Sequence, residues 1–233
     1  MNPSIGFSGR HGLDQTDLQK YRSYVPGVDD VIWQPLYDYQ LYPNAGQQAF
    51  RFFVQPQGAG ATSVFGAAAG AKNLLDTNMQ LSGQLGAGNQ FLCMGVEVEF
   101  FPGSLVGLQT AAQPTDAQTA QQADDVYTVM RNGFLELSIQ NRPYIQDAPL
   151  IKFPTQTQLT GWSAVANGAN ATAAIQHGYA SNSGLAYNIV PVLITQNQAF
   201  VVTITLGSSL ALPSGVDGRI GVRLNGKLIR NAQ

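Results

Sequence analysis

The stretch "FLCMGVEVEFF" (91–101) constrains the fold more than any other part of the chain. Leu92, Met94, Val96, Val98 and Phe100 fall on alternate positions, the period of a β-strand with one buried face. The other face then carries Cys93, Gly95, Glu97 and Glu99 and is expected to meet water. The same period returns in "VIWQPLYDYQLY" (31–42), where Pro35 implies an edge strand or a bulge, and in "QAFRFFVQP" (48–56), joined to it across Pro43 to Gly46 as a hairpin. It returns again in "FLELSIQ" (134–140), with Leu135, Leu137 and Ile139 inward, and in "YNIVPVLITQ" (187–196) and "AFVVTITLG" (199–207) around an Asn197-Gln198 turn. In "GRIGVRLNGKLIR" (218–230), Asn225-Gly226 between two β-like runs is a hairpin signal.

These runs amount to about eight strands of uneven spacing that do not alternate with helices. The expected class is all-β: one jelly-roll-like antiparallel sandwich over 31–233, with long loops and one inserted helix. No repeat of half the length suggests a doubled sandwich. The helix is expected over 116–131, with Thr115 and Gln118 as a capping box, Ala120, Ala123, Tyr127 and Met130 at helical spacing, and Asn132-Gly133 as its stop. Residues 1–30 read as an N-terminal arm with a short helix over 13–25, and 57–90 as a Gly/Ala-rich excursion.

A sandwich still needs a surface, and here charge is scarce. Charged residues make up 11% of the chain and the net charge is −2, so the outside must be built largely from Gln, Asn, Ser and Thr. Such a surface repels its own copies weakly and favours self-association. At 44% hydrophobic residues, disorder is excluded. The start "MNPSIGFSGRHG" has no cationic flank leading into an apolar run, so no secretory leader is expected. No apolar stretch reaches membrane-spanning length.

Motifs that would announce a chemistry are missing. There is no P-loop, dinucleotide fingerprint, Cys/His zinc spacing or G-x-S-x-G elbow. The one cysteine, Cys93, sits in an apolar strand and reads as a packed thiol. Glu97 and Glu99, ~7 Å apart on one strand face, have the spacing of a glycosidase pair or of two Ca²⁺ ligands, but stand where a solvated face is expected. Asp29-Asp30, in a turn, and Asp124-Asp125, in the helix, match no metal loop; a cation bridging subunits is their remaining use. His11 and His177, the latter near Ser181 and Ser183, read as loop histidines, and Asn170-Ala171-Thr172 as an accidental sequon. Neither a cofactor nor catalysis is expected.

Two segments stand out from this neutral background. "NRPYIQDAPLIKFP" (141–154) packs three prolines and Arg142, Asp147 and Lys152 into fourteen residues. Prolines forbid a central strand there, so the segment is expected as a strap along a sheet edge, with Arg142, Tyr144, Asp147 and Lys152 forming a contact between subunits. Beyond Lys152 no cation occurs until Arg219, and the last fifteen residues then hold Arg219, Arg223, Lys227 and Arg230 without an acid. That patch suits weak, non-specific contact with nucleic acid, or one solvated strand face.

Together the arm, the eight strands from "VIWQPLYDYQLY", the Gly/Ala and Gln-rich insertions, the proline-studded strap and the basic C-terminus resemble the jelly-roll structural proteins of icosahedral viruses, particularly bacteriophage virion proteins. The resemblance implies a capsid or other virion shell subunit without catalysis. Its partners would be copies of itself and other virion proteins, with assembly in a host cytoplasm. One common variant of that pattern has a strongly basic arm. Here Arg10, Lys20 and Arg22 are offset by Asp14, Asp17, Asp29 and Asp30, so the arm is not expected to condense a genome. The alternative is a carbohydrate- or receptor-binding sandwich that uses Trp33, Tyr37, Tyr39, Trp162, Tyr179 or Tyr187 as stacking rings.

Overall fold

The computed structural model describes residues 29–63, 70–103, 116–153, 160–165, 173–178 and 187–231. The arm before Asp29, including its expected helix and His11, lies outside them, as do Thr115, Tyr179, Asn170 and the two serines near His177. Of Trp162, His177 and Tyr187 only the strand backbone is described.

In chain order the elements are β1 (Asp29–Trp33), β2 (Leu36–Tyr42), β3 (Ala49–Phe52), β4 (Asn89–Phe101), α1 (Asp116–Arg131), β5 (Gly133–Ile139), β6 (Arg142–Pro149), a single 3-10 turn (Leu150–Lys152), β7 (Thr160–Val165), β8 (Ala173–Gly178), β9 (Tyr187–Thr195), β10 (Phe200–Leu206) and β11 (Gly218–Asn231). β1 and β2 pair with successive halves of β11 and are parted at Gln34-Pro35. They act as one edge strand broken where proline removes an N–H. All pairings are antiparallel; four of them nest, and β4–β11 and β5–β10 join the nested pairs into sheets. β1/β2 pairs with β11, β3 with β10, β4 with β9, and β5 with β6 innermost. The sheets therefore run β1/β2-β11-β4-β9 and β3-β10-β5-β6, with β7-β8 as a separate hairpin. First with last, second with penultimate and so inward is the rolled-up pairing of a jelly roll.

Two linkers expected as turns, the first of them as a hairpin, cross between sheets. Pro43–Gly46 does form a turn, closed by Gly46 N–H on the Pro43 carbonyl at 2.8 Å, but it carries the chain from β2 in one sheet to β3 in the other. The turn after Thr195 likewise links β9 to β10 across the sandwich.

Between the sheets, Phe91, Cys93, Val96, Val98, Phe100, Ile220, Val222 and Leu224 meet Phe50, Phe52, Leu135, Leu137, Ile139, Val202, Ile204 and Leu206, all buried. Burial of side chains this size contributes roughly 1.5–3 kcal/mol each. The inward set of β4 is not the one that strict alternation gives. A bulge at Met94, where Gly226 pairs with Cys93 and Asn225 with Gly95, inverts the faces. Phe91 and Cys93 point inward before it and Val96, Val98 and Phe100 after it, while Leu92 turns outward into a small second cluster with Ile229.

The expected hairpin at Asn225-Gly226 is also absent, since β11 runs unbroken from Gly218 to Asn231. Both of its edges are taken, by β4 and by β1/β2, so folding it back would orphan two ladders. Gly226 serves close approach instead of a turn. A Cβ there would lie 2.1 Å from the Leu92 carbonyl oxygen.

α1 covers one end of the core with Val126, Val129 and Met130, leaving Tyr127 exposed under the Arg131 guanidinium, 5.0 Å from the ring centroid. Asp125, buried, fixes the helix to the 210–217 loop by accepting from Ser214 N at 3.0 Å and Ser214 Oγ at 2.6 Å. Its burial, with Asp124 adding to the effect, pushes its carboxyl up despite those bonds. Among the described residues no helix is long and apolar enough to cross a membrane.

Candidate functional site

The outer face of the five-stranded sheet holds most of the chain's unusual chemistry. Glu97 and Glu99 on β4, expected to face water, are buried. β11 sets Arg219, Arg223 and Asn225 beside them and β2 adds Tyr37 and Tyr39, while the insertion between β3 and β4 folds down over this side. Arg223 spans both acids, with Nη1 3.4 Å from Glu97 Oε2 and Nη2 2.9 Å from Glu99 Oε1. Asn225 donates to Glu97, and the Tyr39 hydroxyl donates to Glu99. Burial, and then the Glu99 carboxylate, drive the Tyr39 hydroxyl far above the ordinary phenol range. Arg219 stacks on the Tyr39 ring at 4.1 Å and lies 3.9 Å from Asp76. Gly221 makes the stack possible, because a Cβ there would sit 2.0 Å from the ring.

The insertion is fastened by two carboxylates. Asp38 on β2 receives Lys72 Nζ at 2.6 Å and the Phe53 amide at 2.7 Å, with both side chains of the ion pair buried. Burial outweighs Lys72 and leaves the Asp38 carboxyl raised. Asp76 accepts from Ser63 N and Oγ at 2.9 Å each, from Thr62 Oγ1 at 2.5 Å and from Asn73 N at 3.2 Å. Burial alone would raise it, but these four bonds hold it below the usual carboxylate range. Between the two clamps a turn exposes Leu74 and Leu75, whose carbonyls accept from Tyr37 Oη and Arg219.

Seven of the chain's twenty-six charged side chains, drawn from 12 basic and 14 acidic, are thus committed to one internal network. As a catalytic pair Glu97 and Glu99 are poorly placed, since Arg223, Asn225 and Tyr39 occupy their oxygens. Among the described residues no three His, Cys, Asp or Glu side chains are grouped to hold a metal. Cys93 lies in the core, where burial pushes its thiol up to about 12. Asp29 and Asp30 stand in β1 and not in a turn, and Asp30 pairs across the ladder with Arg230 at 2.9 Å.

This arrangement accounts for the basic C-terminus. Arg219, Arg223 and Arg230 each face a carboxylate of the same chain, and Lys227 is half-buried beside them on β11. Sequence reasoning missed the network because the cover comes from residues 70–78, outside the strands whose alternation the sequence shows. The signal available was two acids at i, i+2 in a charge-poor chain, answered by two arginines on one face of another strand.

The strap lies on the opposite flank. β6 is an edge strand, turned back from β5 by Gln140 and Asn141, both at positive φ (49° and 62°) as a two-residue hairpin of the primed type requires. Its ladder is irregular at two places, and Asp147 itself has φ 50°. Leu150 and Phe153 then anchor the strap in the core, and the Phe153 carbonyl accepts from Val98 N at 2.9 Å, so the strap passes from one sheet to the other. Arg142, Asp147 and Lys152 are exposed, and none has an ion-pair partner among the described residues. Tyr144 (50%) and Ile151 (59%) are exposed beside them, with Val190 of β9 (84%) on the neighbouring edge.

Comparison with protein families, characterised proteins and solved structures finds no match to this chain. Its function is read from these two surfaces.

Proposed function

We propose that the protein is a structural subunit, a viral capsid or other virion structural protein that assembles with copies of itself into a symmetric shell and performs no catalysis. The observation that carries the reading is the strap. In a chain that commits seven charges internally, Arg142, Asp147 and Lys152 stand outside with Tyr144 and Ile151 on an anchored edge. The jelly-roll pairing and its long insertions support it, being the features that resemble virion proteins. Assembly would take place in a host cytoplasm, beside other virion proteins. Weak, non-specific contact with nucleic acid would rest on Arg230, the one exposed residue of the four C-terminal cations Arg219, Arg223, Lys227 and Arg230.

Light scattering and negative-stain microscopy of the purified protein test the reading, with closed oligomers or shells expected. Arg142→Ala and Asp147→Ala should each weaken assembly more than they lower subunit stability. A protein that stays strictly monomeric at high concentration would sink the proposal.

A polar cavity of about 380 Å³ lined by Gly88, Gln90, Thr195, Gln196 and Asn197 favours a second reading, a carbohydrate- or receptor-binding sandwich. Neutral amides of this kind suit sugar hydroxyls. Of the rings proposed for stacking, Trp33 is exposed, whereas Tyr39 is buried and the Tyr37 hydroxyl is bound to the insertion. Silence on a glycan array together with spontaneous assembly would decide against it.

A further inference from the structure

The strap specifies the symmetry of its own contact, if it is a contact as proposed above. Arg142 and Asp147 are the two charges of β6, five positions apart, both exposed and neither ion-paired with a described residue. A two-fold axis passing between Tyr144 and Ile145 exchanges the two ends of the strand and brings the Arg142 end of one copy to the Asp147 end of the other. We infer that two copies of the chain meet strap to strap across a two-fold axis through this point, each Arg142 facing Asp147 of the second copy.

A strand carrying one cation and one anion is complementary to itself about this axis, as a two-fold contact demands. An in-register parallel contact would oppose Arg142 to Arg142 and Asp147 to Asp147. The backbone does not set the register. Pro143 and Pro149 lack N–H groups and the positive φ of Asp147 bends the strand, so no partner strand can continue the ladder. Side chains must hold and align the two straps. Ile145 is half-buried against the core and gives the centre a fixed base, while the exposed Tyr144 rings of both copies flank the axis. An aromatic residue at the centre, ringed by paired charges, is the arrangement in which a few residues dominate association. The neutral surroundings sharpen the choice, because few other charges compete for either partner.

Arg142→Asp and Asp147→Arg provide the test, read by sedimentation and by size-exclusion chromatography with light scattering. Each variant alone opposes like charges at both points and should lose the two-fold contact at least tenfold. Mixed in equal amounts, the two variants are complementary to one another and should form one-to-one heterodimers. The double variant in a single chain should associate as the parent does. Urea midpoints, read at dilutions where every variant is monomeric, should be unchanged for Arg142→Asp and at most slightly lowered for Asp147→Arg, whose position has φ 50°, which separates lost association from lost folding. If the single variants lose association but neither the mixture nor the double variant regains it, the two-fold register is wrong while the strap remains a contact. Unimpaired association of both single variants would overturn the register and the strap contact together.

Discussion

On one flank of the sandwich the edges are β1/β2 and β3, and hydrogen bonds from the insertion and from Gln40 cover parts of β2 and β3. The insertion lays Asp76–Asn78 along β2, where the Tyr39 amide donates to the Asp76 carbonyl at 2.8 Å and Asn78 bonds both Tyr37 N and the Pro35 carbonyl. Gln40 Nε2 reaches the Arg51 carbonyl and covers β3. On the other flank the edges are β6 and β9, where prolines and bulges interrupt the ladders and the charges point outward. Both devices prevent indiscriminate strand pairing, yet they leave different surfaces. The first turns polar groups inward and makes stability. The second leaves side chains free to choose a partner.

The contrast breaks most sharply at Lys72. Lys72→Met removes the partner of a fully buried Asp38, and an uncompensated buried charge costs about 3–5 kcal/mol. Equilibrium urea unfolding should show that loss, and adding Asp38→Asn, which removes the charge and keeps an acceptor for the Phe53 amide, should recover part of it. Next comes Gly226→Ala, whose Cβ would collide with the Leu92 carbonyl; overpacking of this kind costs about 1–3 kcal/mol, measured the same way. A smaller effect should appear with pH. Asp76 titrates below its unfolded value, so its contribution is complete above pH ~4 and is lost as pH falls through the lower folded value. Asp76→Asn should flatten the acid limb of the stability curve. On the open flank, Tyr144→Ser and Ile151→Ser should leave stability within about 0.5 kcal/mol while reducing assembly measured by light scattering. A large stability loss there would make the two flanks alike.

The class of fold was legible because alternation is local. Leu135, Leu137 and Ile139 point inward as their spacing requires, Pro35 breaks an edge strand, and the helix begins and ends at Asp116 and Arg131. What escaped depends on contacts distant in sequence. The bulge at Met94 is invisible because Phe91, Leu92, Cys93 and Met94 are apolar on both faces, so alternation continues through the inversion. Asn225-Gly226 has the composition of a turn, and only the occupied edges on both sides of β11 keep it straight. The strap was legible as an edge, since proline acts on its own residue. The buried state of Glu97 was not, since it depends on where residues 70–78 come to rest.

The nesting of the ladders also orders events in time. β5 and β6 meet through a two-residue turn, whereas Asp29 must find Asn231 across nearly the whole chain. Loop closure over such separations slows folding toward the millisecond-to-second range typical of β topologies rich in distant pairings. The innermost hairpin, which bears the strap, can therefore form first, and the outermost pair last. If the strap is the contact proposed above, a subunit built this way carries that edge before its own roll is closed, and the rate of closure sets how long incomplete chains display it to one another.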